Sequence, residues 1–174
     1  MKRTLLLLSG AALSAGGAFA QDLSVEIELP RISGTEYHRP YVAVWISHPD
    51  QTVAANLAVW YSQKGGPEGK GETWLKDIRQ WWRRTGRTLD MPVDGISSAT
   101  RAPGRHTVSA PSADQRISGL KPGDYILHVE AAREVGGREM VSIPFTFSEE
   151  TTGSLSAAGS SELGEVKLTL SATN

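Results

Sequence analysis

Tyr41-Val42-Ala43-Val44-Trp45-Ile46 is nearly unbroken apolar sequence, ended by Pro49 and Asp50. A run of this kind without alternation reads as a strand buried on one face, and on both where a second element covers it. Residues 57–61 (LAVWY) follow after a short polar loop and form its antiparallel partner. Upstream, Leu23, Val25, Ile27 and Leu29 alternate with polar or acidic neighbours and stop at Pro30, the pattern of a half-buried strand. Between them, residues 31–39 are polar, with a turn signal at Ser33-Gly34.

Downstream, residues 64–71 are rich in glycine and charge and read as a mobile surface loop. Only one segment reads as helix: Trp74, Leu75, Ile78, Trp81 and Trp82 fall on one helical face, Arg83 and Arg84 suit the negative end of the dipole, and Gly86 closes it. Residues 89–105 have the composition of a loop. Further strands are expected at 106–110, 125–131, 140–147 and 165–170, with a hairpin at Val135-Gly136-Gly137. Pro144 cannot donate to a ladder, so its strand lies at an edge or carries a bulge. Residues 151–161, rich in Gly, Ser and Ala, read as flexible. Some seven short strands with one inserted helix predict a mainly β fold, an antiparallel β-sandwich of immunoglobulin-like character.

The first twenty residues stand apart. Lys2 and Arg3 precede the apolar run that starts at Leu5, and Ala18-Phe19-Ala20 is a small-residue cleavage signal, so residues 1–20 are expected to be a cleaved signal peptide. The run is too short and too rich in Gly, Ser and Ala to span about 30 Å of hydrocarbon, so no membrane insertion is expected after cleavage. Residues 21–174 then make one exported domain, expected in the periplasm. Without Lys2 and Arg3, 16 basic residues face 19 acidic ones, a balance that gives no reason to expect nucleic acid as a partner. The chain has no cysteine, which excludes disulfides, thiolate clusters, c-type haem and thiol nucleophiles.

The sharpest local pattern is Asp94-Gly95-Ile96-Ser97-Ser98-Ala99-Thr100, in the segment after the helix. It resembles the acceptor motif of proteins modified by the periplasmic flavin transferase, in which Asp, two variable residues, Ser or Thr, Gly, Ala and Thr follow one another. In those proteins the last Thr carries FMN as a phosphoester. The resemblance implies covalent FMN on Thr100, with Asp94, Ser97, Ser98 and Ala99 as the surrounding motif. Arg101 is a ready partner for the phosphate. Ser98 departs from the pattern, standing where glycine is usual; a position requiring φ > 0 would penalise it.

A wider resemblance rests on residues 38–46 (HRPYVAVWI), Trp81-Trp82-Arg83, Ser98-Ala99-Thr100-Arg101 and residues 128–134 (HVEAARE). Together these look like the bacterial domain-of-unknown-function family 2271. Its members are predicted periplasmic proteins commonly encoded near flavin transferases and PepSY-type membrane proteins, and the family has no established activity. The resemblance implies the fold and the periplasmic compartment and touches the flavin reading only by association; the motif itself adds an expected electron-transfer role, with those two kinds of protein as partners.

Two other classes compete. A non-catalytic β-sandwich adaptor needs none of this chemistry, since Asp, Gly and Ser are ordinary turn residues. A metal or b-type haem module would need His38, His48, His106 and His128 to converge, although no two have close ligand spacing. His128 alternates with a core face and is expected to face solvent. Trp74, Trp81 and Trp82 could stack on a flavin ring, but their spacing is that of a core-facing stripe. The basic segment Arg83, Arg84, Arg87, Arg101 and Arg105 reads first as a solvated face. Neither G-x-S-x-G nor H-E-x-x-H occurs, and independent catalysis is not expected. N-terminal sequencing of the exported protein should read Gln21 first; a chain retaining Met1 would contradict the cleavage reading.

Overall fold

The computed structural model describes residues 21–33, 37–63, 65–66 and 69–172. The signal-peptide stretch 1–20 and the expected turn at Gly34 lie outside the described residues. The fold is mainly β, with two open sheets face to face. One sheet has the order β10-β11-β1-β7, built from β1 (Gln21–Leu29), β7 (Gly104–Ala110), β10 (Gly153–Ala158) and β11 (Glu165–Ala172). The other has the order β6-β3-β2-β8-β9, from β2 (Tyr41–Ser47), β3 (Val53–Tyr61), β6 (Ser97–Ala99), β8 (Gly123–Ala132) and β9 (Arg138–Phe147). All pairings are antiparallel except β3 with β6. A small ribbon, β4 (Gly65–Gly66) with β5 (Gly69–Lys70), occupies the segment read as a mobile loop.

Alternation carries the sandwich. Leu23, Val25, Ile27 and Leu29 of β1 and Val166, Leu168 and Leu170 of β11 bury against Val42, Val44 and Ile46 of β2 and the inward residues of β8 and β9. Pro144 lies on β9, the edge strand of its sheet, as a residue without an amide donor requires. The stretch 151–161 contains a strand instead of a loop: small residues at Gly153–Ala158 lie flat along β11 as an edge strand. Residues 159–163 then wrap around the Glu139 carboxylate. Partial burial pushes that carboxyl up, but the amides of Leu163, Ser160 and Ser161 and the Ser160 hydroxyl outweigh it and hold it down to about 2.

The run 41–46 is buried on both faces because the chain between β3 and β6 folds back over it. Ala43, Trp45, Val59 and Tyr61 point away from the sandwich core and meet Leu75, Ile78 and Trp81 in a second apolar cluster. The covering segment is a 3-10 stretch (Gly71–Asp77) followed by one short helix, α1 (Arg79–Arg84). The tighter winding of the first part changes the stripe read from the sequence: Leu75, Ile78 and Trp81 are buried, while Trp74 is 41% exposed. Trp81 donates its indole N–H to Asn56 Oδ1 at 2.9 Å, and Gly86 packs against its ring, where a Cβ would overlap the aromatic carbons.

A helix this short has little stability of its own, and its N-cap residue, Ile78, makes no side-chain cap. Glu130 supplies the cap from β8. Its fully buried carboxylate accepts the amide N–H of Gln80 at 2.9 Å and of Trp81 at 3.0 Å, and the Arg138 guanidinium at 3.0 Å. These are the donors that an N-cap side chain normally satisfies. Glu130→Ala should lower unfolding stability by about 1–3 kcal/mol, the cost of leaving buried amide donors without a partner. A denaturant titration showing a loss below about 1 kcal/mol, the range of a surface pair, would contradict this role.

Candidate functional site

The acceptor-like segment leaves the helix through Leu89 and returns to the sheet at β6. Gly95 takes φ +78°, a left-handed conformation that favours glycine, and so reverses the chain. The turn is closed by Ser97 N–H to Val93 O at 3.0 Å and by Val93 N–H to Ser97 Oγ at 2.9 Å. Ser97 is therefore a turn-closing residue. Asp94 is exposed on the turn, and Ile96 is buried beneath it. Residues 97–99, expected in a loop, form β6 and pair in parallel with Val59, Trp60 and Tyr61. Ser98 lies in this extended strand and has no positive φ, so serine in place of the usual glycine is unstrained.

Thr100 follows the last residue of β6 and is half-buried; among the described residues nothing hydrogen-bonds its hydroxyl. Arg101 lies beside it, with its guanidinium 5.5 Å over the Trp60 ring and 3.4 Å from Ser98 Oγ. His106 meets the same indole edge-on at 5.8 Å and bonds Ala102 O at 2.7 Å. The structure thus gathers Ser98, Thr100, Arg101, Trp60 and His106 at the sandwich edge. Asp94 lies at the opposite end of the segment. Trp60 and His106 were not expected there, because a three-residue parallel pairing carries no readable signal.

The residues present fit a phosphoester-linked flavin. Thr100 is half-buried with no hydrogen bond to its hydroxyl among the described residues, the next residue is a cation, and Ser98 and Ala99 before it are small. An open cleft of about 850 Å³ at the Asp94 end is a weaker candidate. Its main cation, Arg116, is occupied by both Asp114 oxygens and by the carbonyls of Leu57 and Ser109. Thr100 does not line that cleft.

The histidines do not converge, and no cluster able to hold a metal ion occurs among the described residues. His38 faces Glu134 at 3.3 Å, and His48 packs on Tyr125. His128 is buried, not solvent-facing, because the inserted segment covers the outer face of β8. It stacks on Trp45 with ring centroids 4.9 Å apart, and bonds Ser47 Oγ at 2.9 Å and Ser142 Oγ at 2.8 Å. Ser47 also donates to His48 O, so the consistent assignment is N–H on Nε2 and an accepting Nδ1.

Burial, aided by the nearby Arg84 charge, pushes the His128 pKa down from 6.5 to about 4. Its neutral form is favoured on folding. That contribution is fully present above pH 6.5 and is lost as the pH falls through about 4, because the unfolded chain takes the proton first. Urea midpoints of the His128→Gln variant should vary less between those two pH values than those of the parent. An unchanged slope would contradict the assignment.

A family model described as "Predicted periplasmic protein (DUF2271)" matches residues 22–165. No curated protein and no solved structure matches the chain.

Proposed function

The chain belongs to this family of predicted periplasmic proteins, and from that premise we propose that it is a periplasmic electron carrier holding FMN as a phosphoester on Thr100. Its sandwich is read as immunoglobulin-like in this proposal. The observation that supports it is the placement of Thr100: half-buried, at the end of a three-residue strand paired on one side only. Such a strand is held by few hydrogen bonds, so it can open locally and present the hydroxyl to a modifying enzyme.

Attachment transfers a group from flavin adenine dinucleotide. The Thr100 oxygen bonds to the flavin-side phosphorus, the diphosphate bridge breaks, AMP leaves with the bridging oxygen, and the hydroxyl proton passes to a base of the transferase. Arg101 stands where its charge balances the phosphoester. The turn around Gly95, closed by Ser97, fixes where the strand begins and hence where Thr100 emerges. When bound, the flavin supplies redox chemistry, and the protein supplies position and electrostatics. The partners that suit this role are a flavin transferase and a PepSY-type membrane redox protein.

Export of the protein with a flavin transferase should give a mass gain of one FMN less one water. Thr100→Ala should remove the gain while leaving the circular dichroism unchanged. An unmodified parent protein under these conditions, or the same adduct on Thr100→Ala, would refute the assignment. A non-catalytic adaptor would stay unmodified throughout.

A further inference from the structure

A second cavity, of about 360 Å³, opens on the outer face of the five-stranded sheet at its Tyr41 end. Its size falls at the low end of ligand pockets, which run to roughly 300–1,000 Å³. One wall carries Trp74, whose exposure is unusual for an indole on a segment that otherwise buries its apolar residues. Tyr41 forms part of the lining and is held by its hydroxyl donating to Gly71 O at 3.1 Å. The back is fixed by two ion pairs: Arg133 with buried Glu162 at 2.8 Å, and Arg138 with buried Glu130 at 3.0 Å. Arg39 and Arg79 also line the space, are exposed, and have no ion pair among the described residues. Asp77 and Glu134 offset part of that charge. Glu134 faces His38. A flat aromatic surface beside guanidinium groups suits a planar ring that carries or gains negative charge.

The strand register places this cavity at the same end of the sheet as the acceptor threonine. Ala99 pairs with Tyr61, and Tyr61 meets Tyr41 ring to ring at 6.4 Å. Neighbouring strands lie about 4.8 Å apart, so the β6 backbone at Ala99 is roughly 10 Å from the β2 backbone at Tyr41. Ser98 pairs with core-facing Trp60, so by alternation Thr100 starts on the inner side, and the ribityl phosphate arm would round the open edge of the sheet at the end of β6 to reach this face.

We propose that this cavity is the seat of the isoalloxazine ring, which stacks on Trp74 with Arg39 and Arg79 beside it. The identity of the ring rests on the Thr100 reading, whereas the aromatic, cation-lined seat does not. The stacking quenches flavin emission, and the guanidinium groups favour the anionic reduced ring over the neutral oxidised one.

Two arms separate the ideas. In the first, the protein exported with a flavin transferase is compared with its Trp74→Ala variant, which loses an exposed side chain and should fold. Several-fold brighter flavin emission in the variant is expected; an adduct of unchanged emission overturns the seat and leaves attachment standing. In the second, free FMN is titrated into unmodified Thr100→Ala protein and into the Thr100→Ala, Trp74→Ala double variant. Binding weakened about tenfold by removal of Trp74, the loss of one stacking contact, supports the seat even if no adduct ever forms. Free-FMN binding that removal of Trp74 leaves unchanged likewise overturns the seat.

Discussion

The buried carboxylate of Glu130 is the contact on which the outer half of the molecule depends. A five-stranded sheet with one apolar face would be complete with its sandwich partner. Here it has two, because Ala43, Trp45, Val59 and Tyr61 also face away from the core. That second face stays dry only if the chain between β3 and β6 lies over it, and the sole α-helix among the described residues of that segment is Arg79–Arg84. Propensity cannot hold so short a helix. A carboxylate from β8, receiving two of its first amide protons, can. The same contact sets Arg138 in place at the rear of the Trp74 cavity and keeps the cover over His128 and Trp45.

Much of this was legible in the sequence. The strict alternation of β1, β9 and β11 needs no tertiary knowledge, since a period of two has one physical reading. The unbroken run 41–46 announced burial on one face and left the second open, since nothing local says what would cover it. Pro144 announced an edge. The misses share a cause: each depends on a partner distant in sequence. β6 is three residues long and is a strand only because β3 lies alongside it. Apart from Leu155, β10 is made of small residues whose pattern resembles a linker until β11 supplies its ladder. Trp74 fits a helical stripe, but the turn containing it winds as 3-10 and swings it outward. His128 alternates correctly onto the outer face, yet that face is covered.

The site follows the same logic. The motif D-x-x-S-x-A-T was visible at once, but its division of labour was not. Gly95 and Ser97 make a turn, Ser98 lies in extended backbone, Thr100 follows the strand end, and Arg101 after it lies over Trp60. The absence of positive φ at Ser98 removes the one local objection to the motif. The proposed attachment through a hydroxyl needs no thiol, which suits a periplasmic protein without cysteine.

The most direct measurement is the visible absorption of the protein purified from its own periplasm, unfolded in guanidinium chloride and desalted. The account predicts that a flavin spectrum travels with the polypeptide, since a phosphoester survives loss of the fold. A polypeptide that emerges colourless from that treatment would contradict it.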